Sequence, residues 1–267
     1  MLIPETVVTS RSNARVKQLR AAFNGHARLS GGLVAIEGEH LLTEALRSGV
    51  VLKTVFLSER REVPKIVPHG VEVLRLTDEI FSSLADTQSP QGIAALIEPL
   101  VHTLDTVIVG MPLILLAAGL QDPGNLGTLV RSAEAFGATS VLTTPGTVSA
   151  WNQKALRASV GSVFRIPVVP VSSEEVASLK NQKVGLLAAV GAADRGVIPA
   201  QEMDFTQPCA ILIGNEGAGL SPDWLEMADA RVTIPYPGPV ESLNAAIAGS
   251  LLLYEASRQR SAAGVPR

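Results

Sequence analysis

Apolar and polar positions alternate along this chain in two rhythms, and they change places often. Residues 10–23 carry a short helical pattern rich in basic side chains. A brief apolar strand follows at 33–36. From Glu39 to Arg47, the residues Leu41, Leu42, Ala45 and Leu46 fall on one helical face, and Gly49 ends the run. Strand patterns recur at 54–57 and 71–76. Thr77 is a suitable N-cap for a helix through Leu84, and 92–97 reads as another strand. This first stretch of alternating elements is compact enough for one α/β domain. The pattern weakens over 98–111, around Pro99, His102, Gly110 and Pro112. Two readings stand there: a linker, or one more strand at 106–109.

The second half opens on Leu113–Ala118, an unbroken apolar run of the kind that a strand buried on both faces requires. Asp122 and Pro123 suit the N-cap and first position of a helix. Leu126, Leu129, Val130, Ala133 and Phe136 form its stripe, and Gly137 closes it. With the strand at 140–143 this is a βαβ unit, which demands parallel pairing. Further strands are expected at 166–171, 184–190, 210–213 and 231–234, with helices at 152–160, 173–180 and 222–228. A last helix runs from about Leu243 to Arg260. Its Ala245, Ala246, Ala248 and Gly249 leave room for another backbone to approach.

Composition narrows the class. A chain of 267 residues fits one large or two ordinary domains, at about 100–200 residues each. With 46% apolar and 18% charged residues, core material is ample and disorder is not expected. A net charge of −3 argues against wholesale polyanion binding. It leaves room for a local patch, and Arg11, Arg15, Lys17, Arg20 and Arg28 stand against Glu5 alone in the first 31 residues. Cys209, the single cysteine, excludes an intramolecular disulfide and fits a reducing cytosol. The first five residues lack the pattern of a secretory signal, and no apolar run is long enough to span a membrane. The histidines (His26, His40, His69, His102) all precede the glycine-rich loops, so neither a metal cluster nor a His-based triad assembles in the second half.

The chemistry concentrates in two strand-to-helix loops, 214–219 and 235–244. The spacing Gly214-Asn215-Glu216-Gly217-Ala218-Gly219 matches neither a dinucleotide fingerprint nor a P-loop. Its carboxylate would repel phosphate, so a ligand with positive charge is more compatible. Ser242 is a natural N-cap for the last helix, whereas Asn244, one turn in, is a poor helix former. Upstream, Asn125 and Arg131 sit beyond the carboxyl end of a strand, where open α/β sheets bind ligands. The structural alternatives are a cap for Asn125 and an i,i+3 pair between Arg131 and Glu134.

Three ordered motifs, Asp122-Pro-Gly-Asn125-Leu-Gly-Thr-Leu-Val-Arg131-Ser-Ala-Glu-Ala-Phe136-Gly, Ile213-Gly-Asn-Glu216-Gly217-Ala-Gly219-Leu, and Ile234-Pro with Glu241-Ser242-Leu243-Asn244-Ala-Ala-Ile-Ala248, together resemble the SpoU (TrmH-type) branch of the SPOUT RNA methyltransferases. The segment from Lys154 to Phe164 resembles a recurrent stretch of that family. Glu37-Gly-Glu-His40-Leu and Ser89-Pro-Gln-Gly92 resemble its substrate-binding domain of ribosomal-protein L30e type. The resemblance implies residues 1–105 as an L30e-like RNA-binding domain with a basic N-terminal segment, and 106–267 as an α/β methyltransferase domain with a parallel sheet and a trefoil knot. It also implies S-adenosylmethionine as methyl donor and a homodimer formed through the methyltransferase domain. Implied cofactor contacts are Gly214, Ile234, Leu243, Gly217 and Leu212. Implied catalytic residues are Asn125, Arg131, Glu216, Ser242 and Asn244, with Glu216 orienting Arg131 or the cofactor. Arg11, Arg15, Lys17, Arg20 and Arg157 are the RNA contacts in this picture, since phosphate contacts give affinity without sequence information.

The expected reaction is methyl transfer to a ribose 2′-hydroxyl, of ribosomal RNA rather than transfer RNA. A hydroxyl needs its developing charge stabilised, and a guanidinium is too weak a base, so Arg131 is expected to act electrostatically, with a base role left open. The alternatives are a transfer-RNA 2′-O-methyltransferase and an RNA-binding assembly factor without catalysis. The intact set Asn125, Arg131, Glu216 and Asn244 argues against the last. An oxidoreductase lacks its glycine fingerprint. The expected location is the cytoplasm.

Overall fold

In the computed structural model the described residues are 7–26, 31–84, 90–191 and 196–265. Arg28, Glu5, the rest of the first five residues and Ser89 lie outside them. By packing, the chain forms two units. One comprises Met1–Leu100 and Trp151–Phe164, the other Val101–Ala150 and Arg165–Arg267. A stretch from the middle of the chain thus packs with the N-terminal part.

The first unit is built on strands β1 (Val7–Val8), β2 (Val34–Glu37), β3 (Leu52–Ser58), β4 (Glu72–Leu76) and β5 (Ile93–Ile97), in the spatial order β1-β4-β3-β5-β2. Pairing is parallel between β1, β4 and β3, and antiparallel between β3, β5 and β2. Helix α1 (Ala14–Phe23) is capped by Asn13, and α2 spans Glu39–Arg47. Helix α3 spans Asp78–Leu84. Val16, Leu19 and Ala22 of α1 and Ile80, Phe81 and Leu84 of α3 close over Phe56, Ala94 and Leu96 of the sheet. The two-residue strand β1 had no periodicity by which to be read.

The 98–111 stretch is neither bare linker nor strand. Thr103 and Thr106 form a capping box around a short helix, α4 (Leu104–Val107), whose Val107 enters the core of the second unit. That unit contains β6 (Leu113–Ala117), β7 (Ser140–Thr143), β8 (Val168–Pro170), β9 (Gly185–Ala189), β10 (Val197–Pro199), β11 (Cys209–Ile213) and β12 (Ala230–Thr233). All pair in parallel, in the order β10-β12-β9-β11-β6-β7-β8. Every residue of β6 and β11 is buried, as two-sided cover demands. On one face Ile114, Leu116, Leu186, Ala188, Ala210 and Leu212 meet Val176 and Leu179. These come from helix α7 (Ser173–Ser178) and the 3-10 turn after it.

Helices α5 (Pro123–Ala135) and α9 (Ala245–Ala262) pack on each other, with α5 against β6 and β7 and α9 against β11. Gly249 makes that packing possible. A Cβ there would stand 2.4 Å from Leu129 Cδ2 and 3.3 Å from Ile213 Cγ1. Arg260, near the C-terminus of α9, is buried and pins the helix to the starts of two strands. Its guanidinium donates to the carbonyls of Phe205 (2.8 Å), Met111 (2.7 Å), Pro112 (3.0 Å) and Gln207 (2.6 Å). Helices α6 (Gln153–Ser159), which belongs to the first unit, and α8 (Pro222–Met227) complete the set among the described residues. In the first unit the buried Gln153 amide donates to the Ala35 carbonyl, 2.8 Å away, at the edge strand β2. Among the described residues no helix is long and apolar enough to cross a membrane.

Candidate active site

The carboxyl ends of β9, β11 and β12 point to one side of the parallel sheet, and the loops that leave them enclose a cavity of about 450 Å³. That volume lies within the range of about 300–1,000 Å³ usual for small-molecule sites. Its walls are Ala189–Gly191, Ile213–Leu220 and parts of 232–252, including Ile234, Tyr236, Ser242 and Leu243. Four of the five expected cofactor contacts, Gly214, Ile234, Leu243 and Gly217, therefore line one space. Leu212 does not. Period-2 alternation turns its side chain into the core on the opposite face, and its neighbour Ile213 lines the cavity instead.

The loop after β11 is folded tightly on itself. Asn215 and Gly219 exchange backbone hydrogen bonds of 3.0 and 2.9 Å. Asn215 Oδ1 accepts from the N–H groups of Gly217 (2.9 Å) and Ala218 (3.1 Å), while its Nδ2 donates to the Gly119 carbonyl at 3.0 Å. Thr147 and Thr144 in turn accept from Gly119 N. Only glycine can stand at 214, because a Cβ there would lie 2.3–2.5 Å from backbone atoms of Gly219 and Leu220. Asn215 was not singled out from the sequence. The signal was present, since an Asx residue before Gly-Ala-Gly can bond its own loop, but its long-range partner Gly119 was not readable.

A second set of bonds joins three loops. Glu216 accepts from the backbone N–H of Asp122 (2.9 Å) and Gln121 (3.1 Å), and from Asn125 Nδ2 (3.1 Å). Asn125 Oδ1 accepts from Asn244 Nδ2 at 3.0 Å. Burial alone would raise the Glu216 pKa, but the bonds from Asn125, Asp122 and Gln121 outweigh it and hold the carboxyl below its ordinary value. Asn244 is the N-cap of α9, accepting from Ala246 and Ile247, so the cap stands two residues after the expected Ser242. The poor helix former thus stands where Asn is favoured. Ser242 is exposed on the cavity wall.

Arg131 is exposed on α5 and makes no hydrogen bond or ion pair with another described residue. The i,i+3 pair with Glu134 does not form, because Glu134 is engaged by Arg165. Glu216 does not orient Arg131 either, as its oxygens are held by the 121–125 segment. Of the expected RNA contacts, Arg11 and Arg15 are ion-paired with Glu79 and Glu72. Lys17 is exposed, Arg20 is half-buried, and neither side chain has a partner among the described residues. Arg157 is exposed on α6.

Among the described residues lining the cavity, Glu216 is the one charged residue and none is Lys or Arg. The space therefore fits a largely apolar ligand that carries positive charge, and it suits a phosphate poorly. Close backbone approach along 214–219 leaves recognition to main-chain groups.

Comparison with known proteins agrees with this geometry. Residues 112–254 match the model of the SpoU rRNA Methylase family, and residues 13–95 match that of the MRM3-like substrate binding domain. The chain is 35% identical over 248 residues to the 23S rRNA (guanosine(2553)-2′-O)-methyltransferase RlmP of Bacillus subtilis, covering 92% of this chain and 97% of that one. It is 32% identical to a 23S rRNA (uridine(2479)-2′-O)-methyltransferase of Streptomyces viridochromogenes, covering 95% and 92%. The crystal structure of the SpoU methyltransferase AviRb from Streptomyces viridochromogenes, in complex with the cofactor AdoMet, superposes with a TM-score of 0.83. It is 30% identical, with 93% of this chain and 98% of that one covered. With its parallel sheet, its ordered glycine and asparagine loops and an N-terminal substrate-binding domain, the chain belongs to the SpoU rRNA methylase family.

Proposed function

We propose that this protein transfers the methyl group of S-adenosylmethionine to a ribose 2′-hydroxyl of ribosomal RNA. The observation that carries the reading is the pairing of a glycine-walled cavity, whose described lining residues include one carboxylate and no basic group, with the bonded cluster of Glu216, Asn125 and Asn244 beside it. The relatives named for a guanosine and for a uridine act on different bases. A site that reads the ribose, which is common to both, accounts for this. When bound, S-adenosylmethionine supplies an electrophilic methyl group on a cationic sulfur.

The chain's own residues do the rest. Ile213, Leu220, Ile234 and Leu243 provide apolar walls, and the Gly214–Gly219 backbone provides close polar contact. Arg131 donates to the 2′-oxygen and stabilises negative charge as it develops there, while the hydroxyl proton passes to solvent water. Asn125 and Asn244 hold the ribose. Glu216 keeps the loops in place. Lys17, Arg20 and Arg157 of the first unit serve phosphate contacts, and the family's trefoil knot belongs to the same reading. Cytoplasmic location is supported by bacterial relatives that modify 23S rRNA.

A homodimer formed through the methyltransferase domain is part of this reading. Ile247, Leu251 and Tyr254 stand at i, i+4 and i+7 on α9 and are 54%, 42% and 53% exposed, although the helix buries Ala246, Gly249, Leu253 and Ala256 elsewhere. An apolar stripe of this kind marks an interaction surface. Light scattering is expected to find two chains per particle, and Leu251→Glu to yield one.

The deciding experiment is mass-spectrometric mapping of 2′-O-methyl sites in RNA from cells with and without the gene, paired with calorimetry. Arg131→Ala is expected to lose methyl transfer while cofactor binding stays within about threefold, roughly 0.7 kcal/mol. Wild-type protein that binds no S-adenosylmethionine would overturn the reading.

A further inference from the structure

We propose that Asn244 is a positioning residue. The N-cap of α9 sets the polarity of its amide, and through it that of Asn125, so that the site turns N–H donors toward the RNA sugar–phosphate backbone. The inference rests on the methyl-transfer reading above.

The polarity follows from bonds that can run in one direction only. Two backbone N–H groups, of Ala246 at 2.9 Å and Ile247 at 3.2 Å, point at one atom of the Asn244 amide. An N–H can only donate, so that atom is the oxygen. The amide nitrogen is then the atom 3.0 Å from Asn125, and what faces it must accept, which makes it Asn125 Oδ1. Asn125 Nδ2 is left to face Glu216 at 3.1 Å. From the other end the answer is the same. The Glu216 carboxylate, already an acceptor for Asp122 N and Gln121 N, requires a donor from Asn125. The run from helix cap to carboxylate thus has a single sense.

Each of the two amide nitrogens spends one N–H within the run and has one left. Asn244 is exposed and Asn125 half-buried. Glu216, bonded to three donors and held below its ordinary pKa, is unsuited to take a proton. The cluster therefore suits oxygen acceptors of ribose or phosphate. It closes only when the starts of α5 and α9 and the loop after β11 are all in place.

The test reverses the polarity. Asn244→Asp keeps the N-cap, since Asp caps as well as Asn, but sets a carboxylate against Asn125 Oδ1. Glu216→Gln combined with it lets the Asn125 amide turn over, donating to the new carboxylate and accepting from the new amide. The new amide nitrogen then faces the Asp122 N–H, as it faces the Gln121 N–H in Glu216→Gln alone, so this cost is common to both variants. Thermal melting is measured on all four proteins without cofactor, and methyl transfer to the cognate RNA alongside. Asn244→Asp is expected to lower Tm by about 2–4 °C in the parent, and by less than half as much when introduced into Glu216→Gln. Methyl transfer by the double variant is expected to stay at least tenfold below that of Glu216→Gln alone, because the donors now point inward. A Tm loss from Asn244→Asp as large in the Glu216→Gln background as in the parent, or a double variant whose methyl transfer matches that of Glu216→Gln, overturns the inference. Absence of methyl transfer by the wild type is a failure of the functional reading instead.

Discussion

Replacing Gly214 by Ala tests how the cofactor loop is held. The added Cβ would lie 2.3 Å from Gly219 C, 2.4 Å from Leu220 N and 2.5 Å from Gly219 O. All three are backbone atoms, so no rotamer change relieves the clash, and the loop must open by about 1 Å to regain van der Waals distance. Opening breaks the reciprocal bonds between Asn215 and Gly219. Each contributes about 1 kcal/mol net, and crowding of a packed site adds about 1–3 kcal/mol. A total of about 3–5 kcal/mol falls on a loop that must be re-formed around the ligand, which weakens cofactor binding by about 100-fold or more. The strands beneath are untouched, so the fold persists. Isothermal calorimetry with S-adenosylmethionine reads the effect. Gly238→Ala is the control, because a Cβ there meets nothing within 4 Å. An affinity for Gly214→Ala within threefold of the parent would refute the steric argument.

Gly249→Ala drives a methyl group into the buried Leu129 and against Ile213. A loss of about 1–3 kcal/mol is expected in urea unfolding, with weaker cofactor binding because Ile213 lines the cavity. Arg260→Met strands the buried Phe205 carbonyl, while Pro112 O keeps its bond from Cys209 N. The expected cost of about 3 kcal/mol lowers Tm by roughly 6–12 °C. Burial pushes the Cys209 thiol up to about 11, against the pull of Arg260, so the native protein should resist alkylation at pH 8. Rapid labelling there would contradict the packing. Because the Glu216 pKa is lowered on folding, its stabilisation is present above the unfolded-state value and is lost as pH falls through the folded one. Glu216→Gln should therefore flatten the acid limb of a stability–pH curve, and an unchanged limb would count against the clamp.

Much of the fold was legible because its signals are local. The unbroken apolar run of β6, the Asp122-Pro123 start of α5 and the Gly137 stop each follow from a few neighbouring residues. So did the parallel sheet, since a strand, a helix and a strand in close succession leave little alternative. The stretch that forms α4 was read as linker or strand because four residues carry too little periodicity to identify a helix, and β1 and β10 were missed for the same reason.

By itself, the order of apolar runs, glycines and caps determined the α/β class, the parallel second half and the residue types that chemistry could use. It also offered Asn125, Glu216 and Asn244 as polar residues of three separate loops, of which Asn125 alone had an ordinary local explanation, a helix cap. Only the tertiary structure decided which bonds they make. Glu216 is 91 positions from Asn125, and Asn244 is 119 from it. Contacts over such separations depend on how the strands lie side by side, and no local pattern encodes that. The same cause took Leu212 into the core, gave Glu134 to Arg165 and left Arg131 exposed on α5. It also packed residues 151–164 with the N-terminal unit. Local sequence sets backbone preferences over a few residues, whereas the partners of a side chain are set by the pairing of distant strands.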